Sequence, residues 1–332
     1  MTKTSKTMKQ ILLRILETKE IVVIVITIIM FLILSITASS TFLTITTFES
    51  LQASIAPNAI VAVGMMILLI SGVFDLSVGS VMGLSGAITA LVLSYGLPVI
   101  PAIFVGLGVG LGFGFINGFL VAFGGVNPLI VTIGTLYIGR GLVNAVMSGE
   151  LRYGIPIKNQ SFLILGQGMT LGIYNMFWIM LVVLALAQFI TLKTSRGRRL
   201  YFVGSNHEAA RLVGIKVKRT RLLTFMLSGC LAALAGVLAT SRFGISSLYL
   251  GINLELKIII SCLLGGASIA GGQGWVVGSF LGVIFLALIV SVFNILEISP
   301  YWQNIIVGIL LVFIVALDAY LVTKRKKALG EI

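Results

Sequence analysis

Residues 71–80 read SGVFDLSVGS, and they place one carboxylate, Asp75, between two apolar segments at 57–74 and 77–95. Each segment is long enough to belong in lipid, where an ionised carboxylate is costly unless it faces the protein interior or a water-filled cavity. Together the two segments span only 57–95, which leaves little length for two complete crossings and a turn. One or both of the helices are therefore expected to be short, with the break partly inside the membrane.

The spacing of DLSVGS also gives Asp75 a local role. Its carboxylate can accept the free backbone amides of Ser77 or Val78 and so cap the helix that follows. Gly72 and Gly79 permit a tight turn and a close approach of neighbouring helices. The sequence favours this cap over a direct role of Asp75 in a translocation pathway, and the second interpretation stays open.

The composition extends the membrane assignment to the whole chain. Of the 332 residues, 58% are hydrophobic and only 10% are charged, whereas soluble domains are about one quarter charged. We therefore predict an all-α polytopic membrane protein with about ten transmembrane helices. The predicted spans are 21–40, 57–74, 77–95, 98–123, 128–147, 173–192, 222–241, 257–272, 275–297 and 302–322.

The formal net charge of +13 is concentrated in three basic clusters, at residues 3–19, 193–221 and 324–327. Ten crossings from a cytoplasmic N-terminus put all three on the cytoplasmic side, as the positive-inside bias requires, although eight would also do so. This distribution argues against a nucleic-acid partner and places both termini in the cytoplasm. It divides the chain into a basic N-terminus (1–20), a single transmembrane domain (21–322) and a basic tail (323–332) that contacts membrane lipid.

The cluster at 193–221 is the longest polar connection, and it contains the run NHEAARLVGI at 206–215. Asn206 is a candidate N-cap, Glu208 lies in the first turn where it suits the helix dipole, and Gly214 can end the helix. The pattern predicts a cytoplasmic helix of about two turns. A helix that short needs support from a neighbour, so it either rests on its own membrane domain within a solvated loop or docks to a partner.

Four ordered blocks carry a family resemblance. YFVGSNHEAARLVGI (201–215) resembles the coupling loop in the permease subunits of bacterial ATP-binding-cassette (ABC) importers for ribose and related sugars, a family that includes autoinducer-uptake permeases. SGVFDLSVGSVMGLSGA (71–87) resembles that family's GGIDLSVGS signature, but Val73 and Phe74 replace its Gly-Ile pair. Two further blocks, at 126–142 and 263–282, extend the match over nearly all of the chain after about residue 50.

The resemblance implies a fold similar to the ten-helix permease of cobalamin-type ABC importers, in the bacterial cytoplasmic (inner) membrane. It also implies a second permease chain, identical or related, cytoplasmic ATP-binding subunits that use ATP and Mg²⁺, and an extracytoplasmic sugar-binding protein. The imported compound is expected to be ribose, a related sugar or a furanosyl autoinducer, moved by alternating access. The residues expected to couple this chain to the ATPase are Gly204, Asn206, Glu208, Ala209, Ala210, Arg211 and Gly214.

The sequence motifs argue against catalysis or a cofactor in this chain. It contains no G-x-x-x-x-G-K-[ST] motif for binding nucleotide phosphates, and its only histidine, His207, excludes an H-E-x-x-H zinc site. We therefore expect a translocation subunit that is not an enzyme and binds no metal, with ATP hydrolysis in a separate chain.

Polar residues within the spans are candidates for the pathway or for a helix break, although for each one alone the sequence favours an interhelical hydrogen bond over contact with the substrate. These candidates are Asp75, Ser77, Asn117, Asn127, Thr132, Thr135 and Arg140. A secondary, ion-coupled transporter is the alternative function, and it would need an intramembrane carboxylate. Asp75 is expected to be almost the only candidate, because Glu150, Glu255 and Glu297 lie near span ends.

Overall fold

A computed structural model describes residues 19–328, so the predicted basic N-terminus lies almost wholly outside the described residues and the tail is described only to residue 328. The described part folds into fourteen α-helices with very little strand. A 3₁₀ turn at Gly149–Tyr153 and a two-stranded hairpin, β1 Met169–Thr170 and β2 Ile173–Tyr174, complete it. The helices are α1 Lys19–Thr37, α2 Ser39–Phe42, α3 Ile45–Ile70, α4 Val78–Ser94, α5 Val99–Ala122, α6 Pro128–Val146, α7 Gln160–Gln167, α8 Asn175–Lys193, α9 Ser195–Ser205, α10 His207–Leu212, α11 Val217–Phe243, α12 Leu254–Leu264, α13 Val276–Ile295 and α14 Pro300–Ala328.

Each of the ten predicted spans overlaps one of these helices. Within the described residues, seven helices are long and apolar enough to cross a membrane: α3, α5, α6, α8, α11, α13 and α14. The apolar part of α1 and the whole of α4 are shorter, and α12 has only 11 residues. The all-α polytopic architecture follows, while the count of ten crossings and the cytoplasmic position of both termini stay predictions.

Helix α3 begins well before the predicted start at residue 57. Thr44 caps it by accepting the Thr47 amide at 3.3 Å, and the helix continues through Pro57 to Ile70 over 26 residues. Its polar first half is held by Gln52, a buried side chain whose Oε1 accepts the Tyr174 amide at 3.0 Å. The predicted shortage of length therefore applies to α4 alone, which has 17 residues.

Helix α11 lies at the centre of the molecule, where it packs most extensively against α5, α4 and α3. Four glycines at every fourth position of α5 face it: a Cβ on Gly110 would lie 2.5 Å from the Ala233 Cβ, and one on Gly114 would lie 2.7 Å from the Met226 Cα. Backbone contact this close leaves no room for side chains between the helices. The glycines on this face of α5 therefore serve tight helix packing.

Helix α12 is held at both ends by glycine contacts. Gly79, at the start of α4, packs backbone to backbone against Gly251 just before α12, and Gly278, at the start of α13, packs in the same way against Gly265 just after it. The two glycines belong to the similar sequences GSVMG (79–83) and GSFLG (278–282). The two copies of this short pattern therefore fix opposite ends of one short helix.

Two segments differ from the sequence prediction. The span predicted at 257–272 stops being helical at Leu264, because the glycine-rich segment 265–275 adopts positive φ at Gly266, Gly271, Gly272 and Gly274, which only glycine does readily. The segment expected to be a loop at 148–172 contains helix α7 and strand β1. Neither α7 nor the hairpin has an apolar signal of the length that predicts a span.

Candidate functional site

Asp75 lies buried in the turn between α3 and α4, with 1% of its surface exposed. Its Oδ1 accepts the Ser77 backbone amide at 2.8 Å and the Ser77 hydroxyl at 2.6 Å. Ser77 directly precedes the first residue of α4, so the predicted local hydrogen bond is confirmed at Ser77 and not at Val78. The carboxylate thus organises the start of α4.

Asn117 on α5 completes a buried polar cluster with Asp75 and Ser77. Its Nδ2 donates to the Ser77 hydroxyl at 2.9 Å and lies 3.3 and 3.4 Å from the two carboxylate oxygens of Asp75. Its Oδ1 is buried and has no hydrogen-bond partner among residues 19–328. Three of the predicted pathway residues are therefore brought together at one point.

Three other candidates on and beside α6 are not part of that cluster. The hydroxyls of Thr132 and Thr135 donate to carbonyls one turn earlier in the same helix, at 2.9 and 3.1 Å. Asn127 is exposed and caps α6 by accepting the Leu129 amide at 2.9 Å. The hydrogen bonds that the structure shows for these side chains therefore serve the helix itself.

Arg140 is half-buried on α6, and its Nη1 donates to the Leu250 carbonyl at 2.8 Å, in the segment that leads into α12. It interacts electrostatically with Glu255 in the first turn of α12. The glycines of α4 make room for both: a Cβ on Gly79 would lie 2.7 Å from Glu255 Oε2, and one on Gly83 would lie 3.2 Å from Arg140 Nη1. Glu255 is near a helix end as expected, but that end is packed against α4.

Sequence reasoning missed Asp318, a second carboxylate that is almost fully buried, on α14. Its Oδ2 accepts the Ser268 hydroxyl at 3.0 Å and the Ile269 amide at 3.1 Å, both in the 265–275 segment. The expectation that Asp75 is almost the only carboxylate within the spans was therefore wrong. The signal was present in the sequence, since Asp318 is the single charged residue in the apolar run FIVALDAYLV at 313–322.

The predicted coupling helix is present as α10, and Asn206 caps it by accepting the amides of Glu208 and Ala209, each at 3.0 Å. It ends in a Schellman turn, in which Gly214, at φ +82°, donates to the Arg211 carbonyl and the next residue donates to the Ala210 carbonyl. The predicted start, length and end of this helix are confirmed.

One face of α10 is anchored and the rest is open. Ala210 is buried against Val203 and Val217, whereas Leu212 and Val213 are 89% and 74% exposed. Helix α9, which the sequence analysis did not predict, directly precedes α10 and connects it to the membrane domain. The coupling segment, residues 195–214, thus presents a free apolar surface on a helix that its own chain supports.

Gly204, at the end of α9, sits where three segments of backbone meet. A Cβ at this position would overlap the Ile70 carbonyl oxygen at the end of α3 and would lie 2.5 Å from the Gly272 nitrogen. A Cβ on Gly271 would lie 2.7 Å from the Gly72 Cα, and the Gly272 amide donates to the Ile70 carbonyl at 2.9 Å. We call this contact of residues 70–72, 204 and 271–272 the glycine junction.

Tyr201 adds a side-chain link between α9 and the 265–275 segment, because its hydroxyl donates to the Gly274 carbonyl at 2.9 Å. Burial raises the pKa of the Tyr201 phenol, so the hydroxyl stays protonated and remains a donor at physiological pH. The two carboxylate-organised turns, at Asp75 and at Ser268–Ile269, lie within a few residues of the junction on either side. Helix α9 is therefore in direct contact with the chain segments that carry both turns.

The chain is similar to permeases of known transport systems. A family model described as "Branched-chain amino acid transport system / permease component" matches residues 47–315. The ribose import permease protein RbsC of Haemophilus influenzae is 36% identical over 86% of this chain and 88% of its own length. The L-arabinose transport system permease protein AraH of Escherichia coli is 35% identical over 84% of each chain.

A third relative, the autoinducer 2 import system permease protein LsrC of Escherichia coli, is 32% identical over 84% of this chain and 81% of its own length. No solved structure gave a significant match. These matches cover the Asp75 turn, the coupling segment and the 265–275 segment together. The chain therefore belongs to the permease family of ABC importers for sugars, whose members are multi-pass proteins of the inner membrane.

Proposed function

We propose that this chain is the translocation subunit of an ATP-driven importer that carries a pentose or a related furanosyl compound into the cytoplasm by alternating access. The names of three relatives support this substrate class, because they import ribose, L-arabinose and autoinducer 2. All three compounds are small and rich in hydroxyl groups. A pathway for such compounds needs scattered hydrogen-bonding groups more than a charged binding centre.

The proposal includes partners that the family membership supports. Two permease chains, identical or related, enclose the pathway, and ATP-binding subunits that use ATP and Mg²⁺ dock on the exposed surface of α10. An extracytoplasmic sugar-binding protein delivers the substrate to the opposite side. This arrangement leaves no energy-coupling reaction to the chain itself, so an ion-coupled secondary transporter is no longer needed to explain the buried Asp75.

The observation that carries the proposal is the physical continuity between α10 and the membrane domain. Helix α10 presents exposed apolar residues to a partner, and α9 ends at Gly204 in direct backbone contact with the end of α3 and with the 265–275 segment. A partner that binds differently in its ATP-bound and ATP-free states would bias this contact between two arrangements. The start of α4 and the loop before α13 would move with it.

Substitution of the cap residue tests the coupling role. Asn206→Ala removes the acceptor of two amides of α10, which costs about 1 kcal/mol of helix stability. In proteoliposomes containing the whole complex, we expect sugar uptake per ATP hydrolysed to fall severalfold. Asn159→Ala is the matched control, because Asn159 caps α7 by accepting the Phe162 amide and lies outside the coupling segment.

The two variants must also be compared for folding and assembly, by thermal unfolding and by recovery of the ATP-binding subunit with the tagged permease. The proposal requires Asn206→Ala to lose coupling while Asn159→Ala keeps the wild-type ratio of uptake to hydrolysis. Wild-type coupling in both variants, or uptake by the lone chain driven by an ion gradient, would show that the assignment is wrong.

A further inference from the structure

A polar cavity of about 410 Å³ lies between the turn that joins α5 to α6 and the helices α10 and α11. Residues 121–128 form one wall, and the opposite wall carries the side chains of His207, Arg211, Lys218 and Arg221. Three of these side chains are permanently cationic, and no acidic residue in the described part of the chain lines the cavity. We call it the basic pocket.

None of the described residues that line the basic pocket carries a negative charge, so its cations are not neutralised within the pocket. Arg221 is half-buried, and its Nε is fully buried without a hydrogen-bond partner among the described residues. A buried donor left unpaired is unfavourable, and like charges facing one cavity repel each other. An anion in the pocket removes both penalties, because it accepts from guanidinium groups and neutralises the repulsion.

The surroundings of the basic pocket identify the kind of anion. Phe115, Phe119 and Phe123 stack along α5, with ring centroids 5.9 and 5.5 Å apart, and all three are exposed at the protein surface. The Lys218 ammonium lies 5.7 Å from the ring centroid of Phe123, which also lines the pocket. On a membrane-crossing helix, an exposed apolar strip of this kind is suited to contact lipid tails. An apolar strip that can contact acyl chains and leads into a cationic pocket matches the structure of an anionic lipid.

We propose that the basic pocket binds the phosphate of an anionic phospholipid, such as phosphatidylglycerol, from the cytoplasmic leaflet, with the acyl chains along the Phe115–Phe119–Phe123 strip. The assignment to the cytoplasmic leaflet rests on the proposed function, which puts the coupling segment on that side. Because Arg211 belongs to α10 and Arg221 to α11, a bound headgroup joins the coupling helix to the membrane domain. Anionic lipid thereby stabilises the packing of the coupling segment against the membrane domain.

Lipid binding to the purified full-length chain tests the proposal without the ATPase or the substrate. Native mass spectrometry of the chain with phosphatidylglycerol or phosphatidylcholine should show at least a tenfold preference for the anionic lipid. Each of Arg221→Gln and Lys218→Gln should reduce the phosphatidylglycerol affinity about fivefold. Arg219→Gln is the matched control, since Arg219 is an exposed cation on the same helix that does not line the basic pocket, and its affinity should stay within twofold of wild type.

Three outcomes would overturn the proposal: equal affinity for both lipids, equal losses in Arg221→Gln and Arg219→Gln, or displacement of the lipid by millimolar inorganic phosphate, which would indicate a site for free anions. An anion preference that appears only after the ATP-binding subunit is added would assign the pocket to the subunit interface instead. Thermal unfolding of each variant checks that it is folded. ATP-driven uptake in phosphatidylcholine liposomes is measured separately, because its absence in every lipid would contradict the proposed function and not the lipid site.

Discussion

Replacement of Gly204 by alanine places a methyl group on the hydrogen bond that joins Gly272 to Ile70. The added Cβ overlaps the Ile70 carbonyl oxygen and lies 2.5 Å from the Gly272 nitrogen, whereas real Cβ contacts essentially never fall below 3.0 Å. Both neighbours are backbone atoms, so no side-chain rotation relieves the overlap. To reach that limit, the Ile70 carbonyl oxygen must move away by about 1 Å and the Gly272 nitrogen by about 0.5 Å, which weakens the 2.9 Å hydrogen bond between them.

The expected loss combines two effects. Overpacking costs about 1–3 kcal/mol, and a lost hydrogen bond costs about 1 kcal/mol, so Gly204→Ala should lower the free energy of unfolding by about 2–4 kcal/mol. Gly112→Ala on α5 is the matched control, because a Cβ there meets nothing within 4 Å. Alanine also favours helix over glycine, so this control should be neutral or slightly stabilising.

Reversible unfolding of both variants in mixed detergent micelles gives the free energies, and ATP-coupled uptake in proteoliposomes gives the functional effect. We expect Gly204→Ala to retain ATP hydrolysis when it is assembled with its partner but to lose most of its uptake per ATP. If Gly204→Ala is as stable as Gly112→Ala and transports at the wild-type rate, the backbone contact neither supports the fold nor transmits motion. The glycine junction would then have no functional role.

Three further predictions concern polar side chains of the site. Asp75→Asn should have a free energy of unfolding within about 1 kcal/mol of wild type and keep most of its uptake, because the Asn117 amide can turn its unpartnered oxygen toward the new side chain. Asp75→Ala should lose about 2–4 kcal/mol of unfolding free energy, because it leaves several donors unpaired. Loss of uptake in a stable Asp75→Asn variant would instead indicate a pathway role. In a double-mutant cycle, the effects of Arg140→Gln and Glu255→Gln on the free energy of unfolding should deviate from additivity by about 0.5 kcal/mol or more. Strictly additive effects would exclude an interaction between the two side chains. Tyr201→Phe should lower the free energy of unfolding by about 1 kcal/mol and also reduce coupled uptake, and an unchanged uptake would remove the Tyr201 hydrogen bond from the coupling route.

Features set by short-range chemistry were readable in the sequence. Asn206 and Gly214 lie within eight residues of each other, and the capping hydrogen bonds that they predict depend only on that spacing. The apolar spans were readable for the same reason, because burial in lipid requires a continuous run of apolar residues. The start of α3 at Ile45 was missed because its polar half is supported by β2 and α8, which lie more than 100 residues away.

The functional connections depend on contacts between distant segments and were not readable from one sequence. Gly204 was singled out by its place in a family block, but its contact with Ile70 and Gly272 depends on the packing of three separate segments. Asp318 itself is visible in its apolar run, but its contacts with the 265–275 segment, about 50 residues away, are not. A glycine or an acid in an apolar run has the same appearance whether it faces lipid, a partner helix or a loop.

The short helix α12 has a consequence for how this protein enters the membrane. Its 11 residues span about 16 Å, roughly half of the hydrocarbon thickness, and they include the charged residues Glu255 and Lys257. Such a segment is a poor substrate for insertion as an independent helix. Gly265 and Gly278 hold the end of α12 close to α13, so the two helices are expected to insert together as a hairpin. Substitution of either glycine would then impair membrane insertion during biosynthesis, before any transport cycle begins.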